Sequence, residues 1–209
     1  MKNAVIFGDS YSTFEGFIPE GYDTYYPDTD TGVTSVTQTW WYQLMEEAGL
    51  NLILNDSWSG STIGYLGYND SDCSKTSSFI PRLNKFIQNG FFKNNKIDTV
   101  FVFGGTNDSW IKSPLGTLKY DNFENQDFYS VLPAISYFLK TLKNTLPDAE
   151  IYCLINTGLK TEISDCFEKS CEKYNITKIT FDAIDKINGH PSVKGMQEIK
   201  NTVLNVITK

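Results

Sequence analysis

Histidine is nearly absent from the 209-residue chain: His190 is the only one. Cysteine is sparse too, with Cys73, Cys153, Cys166 and Cys171 and no CxxC pair. A Cys/His zinc centre therefore lacks its ligands, and the thiols are expected to be free and buried. Positive charge is in deficit, 18 Lys and Arg against 25 Asp and Glu, for a formal net charge of -7. That balance argues against nucleic acid and against anionic membrane as partners. No apolar run is long enough to span a bilayer. "NAVIF" near the start is too short for the apolar region of a signal peptide and runs straight into a polar motif. The expected location is cytoplasmic, or secreted if a leader has been removed. "PDTDTG" (27–32) has calcium-like acids but lacks the remaining ligands of an EF-hand loop, so neither metal nor cofactor is expected.

What the chain does have is a core. The hydrophobic fraction is 40% and the aromatic fraction 14%, enough for one α/β domain of this length, 1–209. Short β-rich runs occur at 5–7, 52–54, 98–104, 150–156 and 176–181. Between them lie segments of helical period: "TWWYQLMEEAG", closing on Gly49; "SFIPRLNKFIQNG", starting near Pro81; "FYSVLPAISYFLKTLKNTLP"; and "SVKGMQEIKNTVLNVI". Strands that are apolar throughout and alternate with helices predict a parallel sheet covered on both faces. Five of them predict a flavodoxin-like doubly wound fold, whose ligands bind beyond the carboxyl ends of the strands.

That rim would collect three polar loops: Gly8-Asp9-Ser10, Asn55 to Gly60, and Gly104 to Asp108. His190, in "NGHPSVKG", follows the fifth candidate strand and belongs to a fourth, with Pro191 at the entry to the last helix. The irregular segments 17–39 and 109–127 are rich in Tyr, Asp, Thr, Gly and Pro and are read as substrate walls. Serine needs an adjacent base to act as a nucleophile, and His190 is the single candidate. Attack on an ester creates an oxyanion, for which the Ser10 and Gly60 N–H groups and the Asn107 amide are the candidate donors.

In that order, "FGDSYS", "NDSWSGST", "GGTND" and "GHPS" resemble the four sequence blocks of the SGNH hydrolases, the GDSL-type esterases and lipases. The resemblance spans the whole chain. It implies a three-layer α/β/α fold and metal-independent ester hydrolysis. Ser10 would be the nucleophile, Gly60 and Asn107 oxyanion donors, and His190 the base. One position departs from the pattern: the family usually has an aspartate three residues before the histidine, where this chain has Ile187. Asp185 is taken as the replacement that orients the imidazole, with Asp182, Glu15 or a backbone carbonyl as alternatives.

Tyr25, Tyr26, Trp58 and Trp110 are taken as substrate-binding residues, since aromatic platforms suit sugar rings and acyl chains. No long apolar lid is evident. The expected activity is serine esterase action through an acyl-enzyme, on short acyl groups such as acetyl carried by a small or carbohydrate substrate. Two other classes stand beside it: a non-catalytic ligand-binding module on the same fold, motivated by the missing aspartate, and a flavodoxin-like nucleotide or flavin binder. An acid in the first loop and the lack of a P-loop pattern count against the latter.

Overall fold

The computed structural model describes residues 1–208. Five strands form one parallel sheet: β1 (Lys2–Gly8), β2 (Leu50–Ser57), β3 (Thr99–Phe103), β4 (Glu150–Ile155) and β5 (Thr177–Thr180). Their order is β2-β1-β3-β4-β5, so β1 and β3 lie inside the sheet and their carboxyl ends are neighbours. This is the flavodoxin-like order, with the chain reversing direction across the sheet at β1 and β3.

Alternation along the strands supplies both faces. Val5 and Phe7, Val100 and Val102, and Ile151 and Cys153 point into one core. Ala4 and Ile6, Phe101 and Phe103, and Tyr152 and Leu154 point into the other. Helices α2 (Phe79–Gln88), α5 (Val131–Thr145) and α6 (Thr161–Tyr174) cover the first face; α1 (Trp40–Ala48) and α7 (Val193–Ile207) cover the second. The result is a three-layer α/β/α sandwich. Two short helices, α3 (Phe91–Asn94) and α4 (Thr106–Trp110), complete the set.

The helix α1 ends as its sequence demands, on Gly49 at φ 63°. By contrast, α2 starts at Phe79, two residues before Pro81. A proline in the first turn breaks no intrahelical bond, because those N–H groups have no helical partner. No helix is predicted from the sequence at α6. Its buried face is Ile163, Cys166, Phe167, Ser170 and Cys171, at helical spacing but weakly apolar. All four cysteines are free, and three are buried. None of the helices among the described residues is long and apolar enough to cross a membrane.

Beyond β5 the chain makes a two-residue hairpin, β6 (Lys186–Ile187) against β7 (His190–Pro191). Its turn is Asn188-Gly189, with φ 51° and 81°. Two successive positive φ values are the backbone of a type I′ turn, which Asn-Gly adopts more readily than any other pair. His190 thus stands on a hairpin strand, where the sequence reading expects a loop.

Candidate active site

The site starts from the ends of β1, β2 and β3. Asp9 leaves β1 by donating its N–H to Phe103 O at 3.2 Å, and Trp58 N donates to Gly8 O at 3.2 Å, so the three loops emerge side by side. Asp9 then caps a tight turn over Ser10–Ser12, its carboxylate accepting from Tyr11 N at 3.1 Å. Burial drives the Asp9 pKa up to about 7. Ser10 opens that turn, and as the first residue its N–H has no partner inside the turn.

Across the rim, His190 Nε2 lies 3.0 Å from Ser10 Oγ. The pair is well enclosed, Ser10 being 2% and His190 9% exposed. The other ring nitrogen, Nδ1, faces the Asn188 carbonyl at 3.3 Å. Burial lowers the pKa of the imidazole, opposed by the Asn188 contact and the Asp28 charge and assisted by Lys186. The ring is therefore neutral near pH 7 and available to take a proton.

The structure corrects the expectation for Asp185. Its carboxylate accepts the Ser192 hydroxyl, its carbonyl accepts Ser192 N at 3.0 Å, and its N–H donates to Glu198 Oε2 at 2.7 Å. Asp185 closes the base of the hairpin and supports Ser192, the N-cap of α7, instead of touching the imidazole. Pro191 accordingly precedes the cap and is not the first helical residue. In place of an acid, the hairpin itself orients the ring, since a tight Asn-Gly turn holds the Asn188 carbonyl against a residue two positions on.

That hairpin is tied down on several sides. Tyr11 Oη donates to Gly189 O at 2.5 Å and Tyr26 Oη to Pro191 O at 2.8 Å. Lys186 Nζ donates to Asn156 Oδ1 at 3.1 Å and Thr157 O at 3.0 Å, beyond the end of β4. Tyr25 stacks on the imidazole, with centroids 3.5 Å apart and planes 7° from parallel. Trp110 meets the same ring edge-on at 5.7 Å.

Of the expected aromatic contacts, Tyr25 and Trp110 do border the Ser10–His190 pair, and Trp110 is 46% exposed. Tyr26 does not border open space; it is fully buried and serves the hairpin. Trp58 stacks on Tyr22 at 4.0 Å and lines a separate cavity of about 360 Å³.

The oxyanion candidates are equally well anchored. Asn107, in the first turn of α4, donates from Nδ2 to Ser61 O at 2.9 Å and keeps its second N–H. Gly60 N–H makes no backbone hydrogen bond among the described residues. Asp108 accepts from Ile63 N at 2.9 Å and Gly64 N at 3.2 Å, clamping the loop after β2 onto the helix after β3. Burial raises its pKa to about 6. The preceding Gly105 sits at φ 89°, and an added Cβ would approach Phe167 to 2.7 Å, so only glycine fits there.

One residue absent from the sequence reading holds these loops together. Arg82, the chain's single arginine, is fully buried. It pairs with Asp56 Oδ2 at 2.6 Å and donates to Asp56 O at 2.6 Å, Gly8 O at 3.3 Å, Ser61 Oγ at 3.3 Å and Ser77 O at 2.9 Å. A single planar fork thus joins the ends of β1 and β2 to the Gly60 loop. Its isolation in an acid-rich composition was the available signal.

Comparison with known proteins then decides the family. A model described as GDSL-like lipase/acylhydrolase matches residues 2–207. The chain belongs to the GDSL-like lipase/acylhydrolase family. Two solved structures match it over nearly their full length, both of proteins of the GDSL-like lipase type. The one from Bacteroides ovatus ATCC 8483 is 41% identical with a TM-score of 0.91, over 100% of this chain and 98% of that one. The one from Bacteroides uniformis ATCC 8492 is 40% identical with a TM-score of 0.91, over 99% and 95%. An acetyl xylan esterase from the rumen bacterium Butyrivibrio proteoclasticus shares the fold at 15% identity, with a TM-score of 0.60 over 99% of this chain and 63% of that one. No curated protein sequence matches the chain. This GDSL-like chain is thus of the hydrolase class, with the fold of its solved relatives.

Proposed function

We propose that this family member is a serine esterase working through a Ser10–His190 dyad. The observation that carries the reading is the 3.0 Å contact between Ser10 Oγ and His190 Nε2. Ser10 Oγ attacks the acyl carbon while Nε2 takes its proton. The tetrahedral oxyanion is held by the Ser10 and Gly60 N–H groups and the free Asn107 N–H, the kind of preorganised site that contributes several kcal/mol to barrier lowering. The imidazolium protonates the departing alcohol, leaving the acyl group on Ser10. Water, deprotonated by the same nitrogen, releases the acid and restores the serine. The Asn188 carbonyl accepts from Nδ1–H throughout, which fixes the tautomer with the lone pair on Nε2.

The substrate proposed is a short acyl ester, acetyl above all, on a small or carbohydrate alcohol. Supporting it are the Tyr25 and Trp110 rings beside the base. The acetyl xylan esterase of shared fold points the same way. Hydrolysis of p-nitrophenyl acetate, butyrate and octanoate tests this. Wild type is expected to turn over acetate fastest and Ser10→Ala to turn over none. Equal activity in Ser10→Ala would overturn the mechanism, and a preference for octanoate would overturn the substrate class.

A further inference from the structure

Tyr68 lies between the oxyanion donor Asn107 and a cleft that it lines. Its hydroxyl donates to Asn107 Oδ1 at 2.9 Å. Its ring edge lies 4.0 Å from where a Cβ on Gly60 would stand, so it packs against a second donor residue. Yet the side chain is 43% exposed, one of few large exposed aromatics in the chain. The exposed ring and Trp110 together line a cleft of about 260 Å³ that also includes Asp70, Lys112 and Ser113. Trp110 in turn touches the His190 ring. The cleft is therefore walled by one residue that bonds Asn107 and one that meets His190.

We propose that Tyr68 is a positioning residue for the oxyanion hole, fixing the Asn107 amide through its hydroxyl while its ring walls the subsite for the alcohol part of the ester. The inference rests on the esterase reading above and adds to it a residue and a subsite. A carboxamide can be turned over by 180°, which would present its oxygen to the developing oxyanion and repel it. Ser61 O, an acceptor only, requires the NH2 group on its side. Tyr68 completes the lock from the other end by donating to Oδ1. A donor on the amide oxygen also polarises the amide, which strengthens its remaining N–H as a donor. Burial, with the charges of Asp9 and Asp108, raises the phenol pKa, so the hydroxyl keeps the proton it donates.

The chain shapes a local device to present this ring. Leu66 bridges Asp72 in antiparallel fashion, Gly67 N donates to Ser71 O at 2.9 Å, and Asn69 and Asp70 take φ 56° and 57°. Two such turns, Asn69-Asp70 and Asn188-Gly189, flank the site and carry Tyr68 and His190.

Tyr68→Phe keeps the ring and removes the hydroxyl. Loss of an oxyanion donor costs about 10²- to 10³-fold in kcat, so Asn107→Ala sets that scale and loss of its lock is expected to cost about tenfold. For p-nitrophenyl acetate, Tyr68→Phe should lower kcat about tenfold with KM within about twofold, and slow fluorophosphonate labelling of Ser10 in proportion. The double variant Tyr68→Phe/Asn107→Ala should be no slower than Asn107→Ala alone, because the lock has nothing left to hold. Tyr68→Ala should also raise KM for esters of bulky alcohols. Thermal midpoints of all variants check folding. Unchanged kcat in folded Tyr68→Phe, or losses that multiply in the double variant, would overturn the role of Tyr68 while leaving the esterase reading intact. A wild type inert to both esters and fluorophosphonate would remove both.

Discussion

His190 turns its Nδ1 to the carbonyl of Asn188, two residues back across a hairpin turn, at 3.3 Å. A neutral carbonyl thus stands where a carboxylate would hold the imidazole of a triad. The carbonyl fixes orientation and tautomer but adds less stabilisation to the imidazolium than a full negative charge would.

The first prediction follows from where Asp185 lies. Loss of the acid from a working triad costs about 10⁴-fold in kcat. Asp185 bonds Ser192 and the start of α7 instead, so Asp185→Asn should lower kcat less than about tenfold and leave the pH profile in place. Steady-state kinetics across pH checks it; a triad-sized loss would restore the acid to the mechanism.

The second concerns pH. Burial lowers the His190 pKa, and the base works only when neutral. Activity is complete above that pKa and lost as pH falls through it. The acid limb of kcat/KM should therefore have its midpoint below the free imidazole value of about 6.5. Asp28 is the carboxylate whose charge favours the imidazolium, so Asp28→Asn should move the midpoint further to acid. An amide at that position still accepts from Thr31 N, which preserves the loop. A shift to higher pH would contradict the sign.

Arg82 supports the third. Removing one partner of a buried ion pair strands the other, at roughly 3–5 kcal/mol. Arg82→Ala leaves Asp56 buried and releases Gly8 and Ser61. A drop in thermal midpoint of roughly ten degrees is expected for a chain of this size, with kcat lost alongside. Calorimetry decides: a midpoint within two or three degrees of wild type would mean that the fork carries little.

Gly189→Ala gives the fourth. An alanine at φ 81° is strained, by roughly 1–2 kcal/mol, and its Cβ would stand 3.1 Å from the Trp110 ring. Gly49→Ala, at φ 63° with nothing within 4 Å, carries the same kind of strain far from the rim. Both should lose similar stability, but only Gly189→Ala should lose most of its kcat/KM. Equal activities would show that the hairpin does not set the position of His190.

The sheet was legible because β1, β3 and β4 carry continuous apolar runs and each is followed by a helix or a polar loop. Ser10 and His190 were legible as residues, since one short motif and one histidine left no competitors. What faces Nδ1 of the histidine was legible only as one alternative, a backbone carbonyl not assigned to any residue, although Asn188-Gly189 is a strong turn signal. Read as a loop, "NGH" hides the carbonyl; read as a type I′ hairpin, it places that carbonyl beside the ring. Tyr26 and Trp58 show the other limit, because an aromatic residue in a polar loop looks the same whether it faces solvent or fills the core. Arg82 and Tyr68 act across 26 and 39 residues, on Asp56 and Asn107, and no local pattern encodes such pairings.

The most direct test of the dyad is labelling with a fluorophosphonate, followed by intact mass and peptide mapping. Wild type should gain one adduct, on Ser10; Ser10→Ala should gain none; His190→Ala should label far more slowly. No adduct on the wild type, or one that persists in Ser10→Ala, would contradict the account.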